Sequence, residues 1–126
     1  MIKQIALVAL GGSVGSVLRY LLSSWIVKQF PHTFPLGTFI VNITGCIVIG
    51  FLLGLLLRHN MQNGDMRLLL VVGLCGGYTT FSAFSSENLQ LLQSGNYWTL
   101  TLYMVGSVFL GLLAVWGGNL LSKIIS

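Results

Sequence analysis

Four long apolar segments make up nearly the whole chain, and they constrain its fold more than any other feature. They cover residues 4–27, 36–57, 67–93 and 97–122. Each is long enough to cross a bilayer, which takes about 20 apolar residues. Only 6% of the 126 residues are charged, whereas soluble domains average roughly 25%. The sequence therefore predicts an all-α membrane protein in which residues 1–126 form a single domain of four transmembrane helices.

The connections between these segments are too short to hold a catalytic domain. Both prolines, Pro31 and Pro35, lie in the first connection, where they interrupt the helical pattern. No nucleophile and base are paired in the sequence, and no phosphate-binding loop is present. The formal net charge of +4 comes from basic residues that flank the segments. We therefore predict that the chain is not an enzyme and does not bind nucleic acid.

Basic residues are distributed unevenly between the two sides of the membrane. An even number of spans places both termini on one side, and Lys28 lies on the other. Because cytoplasmic flanks carry more Lys and Arg, the termini are expected to be cytoplasmic. The bias is modest, so the orientation of the chain is weakly specified. The residues on the terminal side are Lys3, Arg58, Arg67 and Lys123.

The third segment carries polar residues and glycines at membrane depth. Its stretch Gly73–Glu87 contains several hydroxyl side chains, two phenylalanines and one carboxylate. The adjacent Gly76 and Gly77 weaken helical continuity, so we predict that the third helix is broken near its centre. A polar group left unpaired in hydrocarbon costs several kcal/mol. The stretch is therefore expected to line or to bind something.

The residues beyond these glycines have the chemistry of a dehydrated anion site. Phe81 and Phe84 are three residues apart and share a helix face. Aromatic rings are electropositive at their edges. The hydroxyls of Thr80, Ser82 and Ser85 surround the same turns and can replace water around an anion. The two rings could instead be ordinary core residues.

Polar residues on the other spans extend this prediction. Thr38 and Asn42 are four residues apart on the second span, and Ser107 lies in the fourth. Each could contribute to an anion pathway or serve only to hold helices together. Arg19 lies deep in the first span, where it is expected to face a water-filled vestibule that attracts anions, or to extend to the interface.

A partner subunit is expected from this distribution of polar residues. Four helices packed around a closed core cannot also surround a pore. Polar residues on several spans nevertheless need a shared aqueous or ionic face. The commonest solution is a two-fold homodimer, and an axis in the membrane plane would make its subunits antiparallel.

Three motifs of the chain resemble those of a known family. They are Gly76–Ser85, with the sequence GGYTTFSAFS, Gly37–Asn42, with the sequence GTFIVN, and Gly12–Gly15 followed by Leu18 and Arg19. Together they resemble the Fluc family of bacterial fluoride channels, also called CrcB proteins. The resemblance covers essentially the whole chain.

This resemblance implies a function and an assembly. Fluc proteins are dual-topology, multi-pass homodimers of the bacterial inner membrane, in which antiparallel subunits form two pores for passive fluoride export. It implies that a structural sodium ion is held at the dimer centre by the carbonyls of Gly76 and Thr79. Some relatives carry a threonine late in the fourth span, where this chain has Ala114-Val115, so the resemblance does not extend to that polar position. The pore residues that it implies are Phe81, Phe84, Asn42, Thr38 and Ser107.

Two other functions are compatible with four spans. A small multidrug exporter that is coupled to protons has the same plan, but it needs a membrane-embedded carboxylate, typically in the first span. Here the first span offers Arg19, and Glu87 in the third is the only acid within any span. A structural subunit without transport activity would explain the glycine-rich packing, but it would not explain the polar third span.

Overall fold

The computed structural model describes residues 1–61 and 63–125, and all of its regular structure is helical. None of the described residues forms a strand. Four helical stretches are long and apolar enough to cross a membrane, which confirms the all-α fold with four spans. Their bounds are Ile2–Gln29 (α1), Leu36–Arg58 (α2), Arg67–Gln93 and Tyr97–Ile125 (α5).

The second span packs against the fourth through glycines that bring the two backbones together. A Cβ atom added to Gly50 in α2 would collide with the carbonyl of Val115, and one added to Gly118 in α5 would collide with the carbonyl of Ile47. The neighbouring Gly117 has nothing within 4 Å of the same position. The contact therefore depends on small residues at particular positions, as is typical of membrane helices.

The first span packs in the same way on the beginning of the third. A Cβ atom at Gly11 would lie 2.8 Å from the amide nitrogen of Leu74, and one at Gly15 would lie 2.9 Å from that of Tyr78. A Cβ atom at Gly77 would lie 2.5 Å from the carbonyl oxygen of Gly12. Gly11 and Gly15 are four residues apart, the spacing of small residues that lets two membrane helices approach closely.

The outer face of α5 is apolar and uncovered in the single chain. Along the middle of this helix, five large side chains are each more than 60% exposed. Such a surface suits contact with lipid or with another subunit, and it agrees with a multi-pass membrane protein. These residues are Val105, Val108, Phe109, Leu112 and Trp116.

The third span consists of three helical pieces. A π-helical segment, Arg67–Cys75, continues directly into the short helix α3, Gly76–Tyr78. Residues 79–81 are not helical, and Thr79 has the extended angles φ −84° and ψ 156°. Helix α4, Ser82–Gln93, completes the span.

The irregular backbone lies two residues beyond the position predicted from the glycines. Gly76 and Gly77 are themselves helical, and the chain leaves the helix at Thr79. Glycine permits a non-helical conformation but does not impose one. The backbone of Thr80 instead forms hydrogen bonds with the side chain of Asn42 in α2, which keeps it out of the helix.

Candidate functional site

The side chain of Asn42 pairs with the backbone of the third span where the helix is interrupted. Its Nδ2 donates to the carbonyl oxygen of Thr80 at 2.9 Å, and its Oδ1 accepts from the Thr80 amide nitrogen at 2.8 Å. Buried backbone groups need partners, and these two are satisfied by one side chain instead of by the helix. Asn42 is therefore a structural part of the interruption.

Two carbonyls lose their helical donors because of this arrangement. In an uninterrupted helix, the Thr80 amide would donate to Gly76 and the Ala83 amide would donate to Thr79. The Thr80 amide donates to Asn42 instead, and the Ala83 amide donates to the Thr80 hydroxyl at 3.2 Å. The carbonyls of Gly76 and Thr79 are those named in the sequence analysis as ligands of a sodium ion.

A cavity of about 330 Å³ opens beside this segment, and we call it the pore cavity. It brings together five of the predicted pore residues, from three spans, with Thr79 of the predicted sodium site. Its walls therefore combine aromatic rings with an amide and hydroxyl groups, which are the groups that the sequence analysis assigned to an anion site. The lining consists of Asn42, Cys46, Ile49, Thr79, Thr80, Phe81, Phe84, Ser107 and Val108.

The two phenylalanines differ in their surroundings. Their ring centroids are 5.8 Å apart, with 42° between the ring planes. Phe84 is half-buried and packs on Tyr103 with a centroid distance of 4.9 Å. Phe81 is 77% exposed, so the pore cavity is open on that side of the single chain.

Thr38 lies outside the pore cavity, in a cluster around a carboxylate. Its hydroxyl donates to Oε2 of Glu87 at 2.7 Å, and the hydroxyl of Tyr103 donates to Oε1 at 2.7 Å. Both donors are buried, with 8% of Thr38 and 0% of Tyr103 exposed. Each oxygen of the Glu87 carboxylate therefore has its own hydrogen-bond donor. Phe84 packs on the same Tyr103 and also lines the pore cavity, so its ring contacts both the cluster and the cavity.

Glu87 and Tyr103 were not among the residues predicted for the site. A signal for Glu87 was available, because an acid within a span needs hydrogen-bond donors near it. Tyr103 is four residues before Ser107 and therefore on the same helix face. Together, these two observations would have predicted a contact between Glu87 in the third span and Tyr103 in the fourth.

The remaining predicted residues lie at the edge of the site. Ser82 and Ser85 are exposed, and neither lines the pore cavity. The Ser82 hydroxyl is 3.3 Å from that of Thr80. Arg19 is half-buried, and its Nε donates to the carbonyl oxygen of Gly77 at 3.1 Å. It thus places a positive charge beside α3, and its role in a vestibule stays a prediction.

Comparison with known families identifies the group to which this architecture belongs. The model of the family described as "CrcB-like protein, Camphor Resistance (CrcB)" matches residues 6–119. The chain belongs to the CrcB family. The match includes every residue of the pore cavity and of the carboxylate cluster, so the described geometry lies wholly within the CrcB region.

Curated CrcB relatives match along nearly the whole chain. A protein of Flavobacterium psychrophilum is 51% identical over 96% of this chain and 98% of its own length. One of Phocaeicola vulgatus is 53% identical over 96% and 99%, and one of Azobacteroides pseudotrichonymphae is 46% identical over 98% of each. All three are named fluoride-specific ion channel FluC. The resemblance seen in the sequence is confirmed, and relatives named as channels agree with the prediction that the chain is not an enzyme.

Proposed function

We propose that this chain forms a fluoride-selective channel of the bacterial inner membrane, through which fluoride leaves the cytoplasm passively. The observation that carries the proposal is the pore cavity. It presents two phenylalanine rings together with an amide and hydroxyls to the same space. Fluoride loses its water only where donors and electropositive ring edges replace it. The curated relatives bear the name of this function.

The pathway that we propose continues past Phe84. This ring lines the pore cavity and packs on Tyr103, whose hydroxyl converges with that of Thr38 on Glu87. An anion that passes Phe84 would meet the hydroxyls of Thr38 and Tyr103, which must turn their single hydrogens from Glu87 to the anion in order to bind it. Thr38 then belongs to the pathway although it does not line the pore cavity.

The alternative of a proton-coupled multidrug exporter finds no support. Both oxygens of Glu87 already accept hydrogen bonds from neutral hydroxyls, and the lining of the pore cavity includes no carboxylate. The relatives are named as fluoride channels. A purely structural subunit would not need a cavity with these polar walls.

We propose that the working unit is an antiparallel homodimer with two pores. The exposure of Phe81 supports it, because a pore needs a wall on the side where this ring is uncovered. Ser82 and Ser85 are exposed as well and lie close to Phe81 in the chain. The modest charge bias of the chain suits insertion in both orientations, which an antiparallel pair of identical subunits requires.

The proposed dimer centre also has residues that fit a sodium ion. The carbonyls of Gly76 and Thr79 have lost their helical donors, and carbonyl oxygens of interrupted membrane helices bind such hard cations. Bound there, the ion would supply positive charge near the two pores. We assign it a structural role.

An experimental structure of the dimer tests this assignment. We expect one spherical density on the two-fold axis, coordinated by backbone oxygens of Gly76 and Thr79 from both subunits. The ligand chemistry is the reason, since these oxygens lack their helical donors. A carboxylate in contact with the density, or helical hydrogen bonds running without a gap through residues 75–80, would contradict the assignment.

Ion efflux from liposomes tests the function itself. Purified protein is reconstituted in vesicles loaded with fluoride or with chloride, and efflux is recorded with ion-selective electrodes. We expect rapid loss of fluoride without loss of chloride, and no need for a proton gradient. Equal loss of both ions, or vesicles as tight as protein-free ones, would refute a fluoride channel.

A further inference from the structure

A second polar cavity reaches Glu87 from the side of the membrane where the first and third connections lie. It has a volume of about 370 Å³, and we call it the loop-side cavity. One wall belongs to the connection between α1 and α2, and the other to the end of α4 and the connection that follows. Glu87 joins it to the carboxylate cluster beside Phe84. The lining consists of His32, Thr33, Pro35, Glu87, Gln90, Leu91, Ser94 and Asn96.

The connection that carries His32 is fixed to the aromatic residues of the site. The Phe34 amide nitrogen donates to Nδ1 of His32 at 3.0 Å. The ring of Phe34 packs on Tyr103 at a centroid distance of 5.3 Å and on Phe39 at 5.4 Å. Because Nδ1 accepts a hydrogen bond, the neutral imidazole carries its proton on Nε2. His32 is thus held at the rim of the loop-side cavity.

Few titratable groups face His32 in the described part of the chain. Glu87 of α4 lines the same cavity, and Tyr103 of α5 donates its hydroxyl to that carboxylate. Lys28, at the end of α1, belongs to the same side of the molecule but does not line the cavity. With a neutral His32, the Glu87 carboxylate therefore dominates the charge of the loop-side cavity, which disfavours anions.

We propose that His32 controls how readily fluoride crosses the loop-side cavity. Histidine is the side chain that changes charge between pH 5 and 8. A protonated His32 adds a positive charge to the cavity that Glu87 shares, and it lowers the electrostatic barrier to an anion. Protonation also breaks the hydrogen bond from Phe34, but the charge stays on a residue of the cavity wall. Fluoride flux then rises as the pH falls. This inference rests on the proposed function.

Fluoride efflux at different pH values tests the role of His32. Proteoliposomes are held at the same pH on both sides, from pH 8 to pH 5.5, and the leak of protein-free vesicles is subtracted. The initial rate of the parent chain is expected to rise about threefold or more, the effect of one charge at several ångströms in water. The His32→Gln variant should keep the alkaline rate throughout, and His32→Lys should show the acid rate throughout.

The second histidine supplies the matched control. His59 is exposed at the end of α2 and lines neither cavity, so His59→Gln should keep the pH dependence of the parent chain. Higher ionic strength should reduce the difference between the His32 variants, because salt screens exposed charges. A pH-independent rate in the parent chain, or a pH-dependent one in His32→Gln, would overturn the role of His32. Absence of fluoride efflux at every pH would instead overturn the proposed channel.

Discussion

Replacing Phe84 with isoleucine is expected to reduce fluoride efflux by about tenfold or more, and Phe81→Ile is expected to do the same. Isoleucine keeps the apolar bulk but removes the electropositive ring edge. A loss of about 1.4 kcal/mol of favourable interaction at the highest barrier slows passage about tenfold. The measurement is the initial rate of fluoride efflux from proteoliposomes of equal protein content.

Thermal unfolding is expected to distinguish the two phenylalanine substitutions. Phe84 packs on Tyr103, so Phe84→Ile should also lower the thermal midpoint of unfolding in detergent. Phe81 is 77% exposed in the single chain. Any fall in the thermal midpoint of Phe81→Ile would therefore report the packing that a partner subunit adds to this ring.

Phe109 provides the matched control for these substitutions. It is 61% exposed on the outer face of α5 and does not line the pore cavity. Phe109→Ile makes the same chemical change, and we expect it to leave fluoride efflux unchanged. Parent-like efflux from Phe81→Ile or Phe84→Ile would return that ring to an ordinary packing role.

The spans could be predicted from the sequence because their cause is local. Apolar runs of sufficient length identify membrane helices without knowledge of their neighbours. The spacing of four residues between Gly11 and Gly15 likewise indicates a close helix contact without naming the partner helix. These features depend only on residue type and spacing.

The position of the helix interruption could not be predicted in this way. Adjacent glycines pointed to Gly76 and Gly77, whereas the chain leaves the helix at Thr79. The difference arises from Asn42, which is far away in sequence and competes for the backbone of Thr80. A competition of this kind between spans depends on the register of two packed helices, which residue spacing within one span does not contain.

The carboxylate cluster shows the same limit. Thr38 was expected in the pathway, but its hydroxyl donates to Glu87 and not into the pore cavity. That pairing joins α2 to α4, and Tyr103 joins α5 to the same carboxylate. Each of these polar residues could be placed within a span from the sequence, but their pairing across spans could not be predicted.

Replacing Asn42 with aspartate is expected to reduce fluoride efflux at least as strongly as the phenylalanine substitutions. Aspartate can still accept from the Thr80 amide, but when ionised it has no donor for the Thr80 carbonyl. A buried carbonyl left unpaired costs about 1–3 kcal/mol. The new carboxylate would also place a negative charge on the wall of the pore cavity, where an anion must pass. Efflux and thermal unfolding are both measured.

Asn119→Asp makes the same chemical change in α5, at an amide that does not line the pore cavity. Asn119 lies near Gly54, whose carbonyl accepts from Arg58, so a new carboxylate there is close to a positive charge. We expect this control to retain fluoride efflux.

The consequences of Asn42→Asp should extend to the proposed sodium site. In Asn42→Asp the Thr80 carbonyl loses its donor, so the non-helical segment that carries the Thr79 carbonyl is held less firmly to α2. The Thr79 carbonyl, which we assign to the ion, is then less well positioned. Thermal stability of the parent protein should then increase with sodium concentration, and that of Asn42→Asp should respond less. Parent-like efflux and sodium response in this variant would mean that the Asn42 amide only holds α2 to the third span.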